Sequence, residues 1–125
     1  MSHDVFISYS NLDKEVADEA CAALEENGIR CWMAPRDIVP GLEWSEAITS
    51  AIEKARIFLL IFSENSNRSG QVIKEVVLAN GHGLPLIPFR VEDVLPSGSF
   101  KYHLSSAHWL DAFRMDSATA FRSLV

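Results

Sequence analysis

Apolar positions along this chain come in two rhythms, short unbroken runs and stripes spaced three and four residues apart, and the two alternate throughout. The first run, residues 4–9 with Val5-Phe6-Ile7 at its centre, predicts a strand buried on both faces. A helix follows over residues 12–27. There Val16, Ala20 and Leu24 recur at helical spacing, Ser10 and Asp13 form a capping pair, and Gly28 supplies the stop. Residues 29–32 read as the second strand, and Trp44, Ile48, Ala51, Ile52 and Ala55 mark the apolar stripe of a second helix. Ile57–Phe62 is wholly apolar and of strand length, which suits the middle of a parallel sheet. Residues 63–69 predict a polar turn, 71–80 a third helix ending at Gly81, and 84–90 a fourth strand whose ladder Pro85 and Pro88 weaken. Beyond it, 91–106 read as loop with little regular helix, 107–110 as a short fifth strand, and 116–125 as the start of a last helix.

Strict strand–helix alternation demands an α/β fold. The expected form is a flavodoxin-like five-stranded parallel sheet, order 2-1-3-4-5, with helices on both faces and right-handed crossovers. In such sheets ligands bind outside the carboxyl ends of the strands, where the strand order reverses. That rule places a candidate site at Ser8, Tyr9, Ser10 and Asn11, the loop after the second strand, residues 63–69, and the first turns of the next helix. The loop, residues 33–43, carries Pro35 and Pro40, which fix φ and delete amide donors, so it stands as a semi-rigid exposed arch. Trp32, Met33, Ile38 and Trp44 in or beside it argue for order, and loops of this length inside a compact domain are uncommon unless functional.

With 125 residues, 48% of them hydrophobic, the chain makes one domain with a proper core. A net charge of −6, with no stripe of Lys and Arg, argues against nucleic acid as the partner. The longest apolar run is far short of the roughly 20 residues that cross a bilayer. Met1-Ser2-His3-Asp4 lacks the basic region of a signal peptide, so a cytoplasmic domain without membrane contact is expected. Cys21 and Cys31 fall in a helix and a strand and read as free thiols, and no Cys/His cluster has zinc spacing. His3, His82, His103 and His108 are scattered and form no ligand set, so no metal is expected. The sequence stops on apolar Leu124-Val125 without a cap, which suggests a single domain, 1–125, excised from a longer protein.

Familiar catalytic motifs are missing. There is no G-x-G-x-x-G after the first strand, no G-x-x-x-x-G-K-[ST] and no G-x-S-x-G elbow, and the first and third strands do not end in the acidic pocket of a response-regulator receiver. On the third predicted helix, Val72, Ile73, Val76, Val77 and Ala79 share the buried sector, with Glu75 at its edge and Lys74 pointing away. The plainer reading of Glu75 is a solvated glutamate paired with a nearby cation. The alternative is a carboxylate beside the crevice that stabilises a developing positive charge, as glycosidic carboxylates do at an oxocarbenium-like centre. Trp44 and Trp109 read as core, and Trp32 is ambiguous.

Three segments resemble a known family. Asp4-Val5-Phe6-Ile7-Ser8-Tyr9-Ser10 resembles the first box of the Toll/interleukin-1 receptor (TIR) domain. Residues 28–41, with Arg36-Asp37-Ile38-x-Pro40-Gly41, resemble its second strand and BB loop, and Ile87-Pro88-Phe89 lies where its fourth strand runs. The resemblance covers essentially the whole chain and is greatest to bacterial members. It implies a flavodoxin-like domain that works by homotypic assembly through the 33–43 loop. In some members it also implies cleavage of NAD, as substrate and not cofactor, into nicotinamide and ADP-ribose or a cyclised isomer. The family's catalytic glutamate lies on the third helix, at the position of Glu75. Ser8, Tyr9, Ser10 and Asn11 would line the nucleotide side, and Arg36 would meet a phosphate across the loop. Many active members carry a tryptophan four residues before the glutamate, where this chain has Gln71. Animal hydrolases carry an arginine pair after Ser-Tyr, where this chain has Ser10-Asn11. The leading expectation is a self-assembling NAD glycohydrolase or cyclase in bacterial antiviral defence, a form of innate immune signalling. A non-enzymatic TIR adaptor is the second reading and a secreted effector that mimics host TIR domains the third. An unperturbed glutamate would already be ionised at neutral pH.

Overall fold

The computed structural model describes residues 3–41, 43–105, 107 and 109–114. Among these, five parallel strands, β1 (Val5–Ser8), β2 (Cys31–Trp32), β3 (Ile57–Phe62), β4 (Leu86–Arg90) and β5 (Leu110–Asp111), form one sheet in the order β2-β1-β3-β4-β5. Helices α1 (Lys14–Glu26), α2 (Trp44–Lys54), α3 (Glu64–Asn67), α4 (Gly70–Gly81) and α5 (Ser99–His103) lie between strands. This is the flavodoxin-like topology the alternation predicts, with β3 in the middle. No helix among the described residues is long and apolar enough to cross a membrane.

The period-two alternation of the strands divides the core into two layers. Val5, Ile7, Leu59, Ile61 and Phe89 pack under Ala17, Ala20, Cys21 and Leu24 of α1. Phe6, Phe58, Leu60 and Phe62 pack under Ile48, Ala51 and Ile52 of α2 and Val72, Val76 and Ala79 of α4. Each large side chain so buried stabilises the fold by roughly 1.5–3 kcal/mol. The same alternation puts Ser8 on the Phe6 side of the sheet, where α4 lies.

Several boundaries differ from expectation. Residues 63–69 are not a plain turn but hold α3, because Ser63 and Ser66 form a reciprocal capping box that satisfies its first amides. Ser10 takes the Asp13 amide on its backbone carbonyl, at 2.8 Å, and not on its side chain. Its hydroxyl accepts from the Leu12 amide to cap a 3-10 turn at Asn11–Asp13, while Asp13 is drawn across the strand ends by Ser63 Oγ and Asn65 Nδ2. Within 91–106, α5 forms because Phe100 is buried against the Phe62 ring, centroid to centroid 5.9 Å. β5 falls at Leu110–Asp111, later than predicted, where Asp111 meets Arg90 at 2.8 Å. The last helix expected over 116–125 lies outside the described residues.

Pro88 sits inside β4 without breaking it. Phe58 N donates to Pro85 O and Val91 N to Phe62 O, so the odd-numbered residues of this stretch face β3. Pro88 therefore turns its missing donor toward β5, where pairing begins only at Phe89.

Candidate active site

A crevice of about 530 Å³ opens at the carboxyl end of β1, where the strand order reverses. Tyr9 and Asn11 wall it after β1, Ala34 and Glu43 come from the loop after β2, Trp44, Ser45 and Ile48 from α2, and Gln71 and Glu75 from α4.

Glu75 forms the floor and is only 8% exposed. The sequence sets it at the edge of the apolar sector with Val77 inside. The helix is instead rotated to bury Val72, Glu75, Val76 and Ala79, leaving Val77 44% exposed. The reason is tertiary: Ser8 Oγ on β1 donates to Glu75 Oε1 at 2.6 Å, and Gln71 Nε2, one turn earlier on the helix, donates to Oε2 at 3.2 Å. Two donors make burial of the carboxyl tolerable. Burial pushes its pKa above the ordinary glutamate value, and the hydrogen bonds from Ser8 and then Gln71 pull it partly back, so it is not the unperturbed group expected. The described lining residues include no Lys, Arg or His, so the crevice offers a buried carboxyl without a protein cation.

The other candidate residues divide. Tyr9 lines the crevice and donates its hydroxyl to Ala34 O, tying the end of β1 to the start of the loop; burial raises its phenol and keeps it a donor. Asn11 stands exposed on the rim and Gln71 on the wall. Ser8 is buried and reaches Glu75 directly. Ser10 does not line the crevice; its hydroxyl is engaged at the 3-10 turn.

Arg36 is a correction. It does not face the crevice. Its guanidinium donates to both Glu25 oxygens at 3.0 Å, to Asp37 Oδ2 at 2.7 and 2.9 Å, to Cys31 O at 2.9 Å and to Cys21 Sγ at 3.2 Å. Glu25 of α1 and the neighbouring Asp37 capture it, and the Glu25 contact pins the loop to α1. Asp37 Oδ2 also accepts from Met33 N at 3.0 Å, closing the loop on itself. Cys21 and Cys31 are free and buried, and burial pushes both thiols up, Cys31 to about 12, so both are protonated at neutral pH.

Trp44 is the second correction. It is 57% exposed and lines the crevice instead of entering the core. Its spacing to Ile48 did place it on the right face, since both line the crevice, but only Ile48 of the two is buried. Glu43 lines the crevice as part of the 33–43 loop already assigned there, whereas Ser45 was missed by sequence reasoning; a helix starting straight after a long loop is the signal that could have found it. Trp32 stacks on Phe6 with ring centroids 5.2 Å apart, and Trp109 meets Phe62 edge-on at 5.3 Å, so both serve packing.

A parallel sheet in this order with its crevice at the reversal point defines a switch-point α/β domain. The family model for the TIR domain matches residues 5–125, and the chain belongs to that family. No curated protein matches it. Among solved structures it is similar to the TIR domain of the Toll-related receptor TRR-2 from Hydra magnipapillata, with 27% identity over 98% of this chain and 95% of that one and a TM-score of 0.78. It shares the fold of the TIR domains in the activated Roq1 resistosome, at 19% identity over 98% and 97% of the two chains and a TM-score of 0.75. The fold also matches the Clostridium botulinum CMP N-glycosidase BcmB, at 14% identity over 97% and 96% and a TM-score of 0.67.

Proposed function

We propose that this TIR domain, of the bacterial type, cleaves the nicotinamide–ribose bond of NAD in the cytoplasm, with Glu75 as the catalytic carboxylate. Self-assembly through the 33–43 loop switches it on in defence signalling. The observation that carries the reading is the Glu75 carboxyl, buried at the floor of the crevice and held by Ser8 and Gln71 with no cation among the described lining residues. Such a site favours a ligand that brings its own positive charge, and the nicotinamide ring of NAD does so.

The chemistry needs little else. The bond from the ribose carbon to the ring nitrogen breaks, its electron pair leaves with nicotinamide, and nicotinamide departs neutral without a general acid. Glu75 stabilises the ribosyl cation left behind. Water then adds and loses a proton to give ADP-ribose, or a nucleophile of the adenosine half closes a cyclised isomer. Tyr9, Asn11 and Gln71 are placed to contact the nucleotide, with Ser8 setting the carboxylate. Trp44 offers the aromatic surface that position 71 lacks. The CMP N-glycosidase with this fold is in keeping with such a reaction.

Two observations favour a second reading, a non-enzymatic TIR adaptor: Gln71 stands where many active members carry tryptophan, and no Lys, Arg or His among the described lining residues meets the pyrophosphate. Incubating the concentrated domain with NAD and following free nicotinamide separates the two. Release by the parent and none by Glu75→Gln is the expected result. No release at any concentration, despite demonstrable assembly, would leave only the adaptor.

A further inference from the structure

Cys21 and Glu25 stand one helical turn apart on α1, and Cys31 faces them from β2. The two sulfurs and a Glu25 carboxylate oxygen all lie within 4.8 Å of one another. Around one tetrahedral zinc ion, thiolates at about 2.3 Å and a carboxylate oxygen at about 2.1 Å stand roughly 3.5–4 Å apart. The cluster is therefore close to a ligand set before any ion arrives, and its i, i+4 pair on a helix is a natural chelate.

A cation already sits against two of these three ligand groups. Arg36 Nη1 lies 3.2 Å from Cys21 Sγ and 3.0 Å from Glu25 Oε1, and Nη2 lies 3.0 Å from Glu25 Oε2 and 2.9 Å from Cys31 O. Both cysteines are buried, whereas the Arg36 side chain is 42% exposed. The guanidinium is thus the plug between solvent and the thiols.

We propose that Cys21, Glu25 and Cys31 form a binding site for a soft divalent cation of the zinc class, in competition with Arg36, and that occupancy unpins the loop beside the crevice. On binding, each thiol releases its proton to buffer and donates a sulfur lone pair; Glu25 gives the third ligand and water the fourth. Charge balances throughout. Glu25 and Arg36 cancel before the exchange. Afterwards three anionic ligands around a dication leave one negative charge, which the displaced guanidinium offsets from the rim beside Asp37. The loop so released contributes Ala34 and Glu43 to the crevice wall, which connects this site to the one containing Glu75.

The test uses Co²⁺ as a spectroscopic probe and Zn²⁺ as competitor on the reduced chain, with no NAD present, so it stands apart from the cleavage reading. One Co²⁺ per chain, a thiolate-to-cobalt charge-transfer band, release of two protons and displacement by Zn²⁺ are expected. Glu25→Gln weakens binding, and Cys31→Ser weakens binding and roughly halves the band, because one of the two thiolates is lost. Because a change at buried Cys31 can unfold the chain, Arg36→Ala carries the decision: freed of its competitor, the site should bind about tenfold more tightly. Binding no tighter in Arg36→Ala, or a Co²⁺ spectrum without a thiolate band, would overturn the site. Backbone amide exchange over 33–37 should quicken when Zn²⁺ is added to the parent, and unchanged exchange would overturn the link to the loop.

Discussion

Glu75 owes its character to what surrounds it. Its pKa is raised, so below the unfolded glutamate value both folded and unfolded forms carry the proton and burial of the carboxyl is least costly. As pH climbs through the folded value, the native state must bury a charge while the unfolded chain solvates it, and stability declines. Glu75→Gln should therefore be at least as stable as the parent at neutral pH while losing nicotinamide release, which urea unfolding and the nicotinamide assay check together. Under the proposed chemistry only the carboxylate works, so the acid limb of the activity profile should lie above the ordinary glutamate value. Ser8→Ala deletes the stronger of the two hydrogen bonds that lower this pKa and should move that limb to higher pH. A limb that stays in place would remove Ser8 from the tuning of the site. The position of Glu75 was legible from helical spacing. Its depth was not, because a periodicity count ranks glutamate as polar and cannot include a serine 67 positions earlier that satisfies it.

At the scale of elements, the first turns of α2 and α4 and the loop after β2 build the crevice from segments that the sheet itself does not hold. Trp44 is more than half exposed, so replacing it removes little packing. Trp44→Ala should leave the thermal midpoint nearly unchanged and raise the KM for NAD, read from initial rates of nicotinamide release; an unchanged KM would exclude Trp44 from ligand stacking. The loop obeys the proline logic of its sequence but is held by Arg36, Asp37 and Glu25. Which carboxylates capture an arginine depends on the distance from α1 to the loop, a quantity no local pattern contains. That is why Arg36 read as a phosphate partner and folded as a clasp. Residues 63–69 show the milder form of this problem: the serines that made them look like a turn also make a capping box, and only the backbone angles distinguish the two.

For the whole molecule, the topology exposes the loop tip at one end of the sheet, with Val39 59% exposed and Ile38 half-buried. If assembly through this loop activates the domain, nicotinamide release per chain should rise with protein concentration. Pro40→His should flatten that rise while leaving the unfolding midpoint near the parent's, as paired sedimentation and denaturation experiments would show. A concentration-independent rate would detach activity from assembly.

The sequence by itself determined the five strands and the three long helices α1, α2 and α4, the order of the sheet, β3 at its centre and the end of the sheet at which the crevice lies. These follow from how often apolar side chains recur, since recurrence decides which faces must leave water, and from the handedness of crossovers. Tertiary structure alone decided that Arg36 turns away from the crevice, that Trp44 lines it, that Glu75 is buried on Ser8, and that Cys21, Glu25 and Cys31 converge. Each of those depends on which of several competent partners comes within hydrogen-bonding reach. Periodicity states that a residue is buried or exposed, but only the packed distances choose its neighbour.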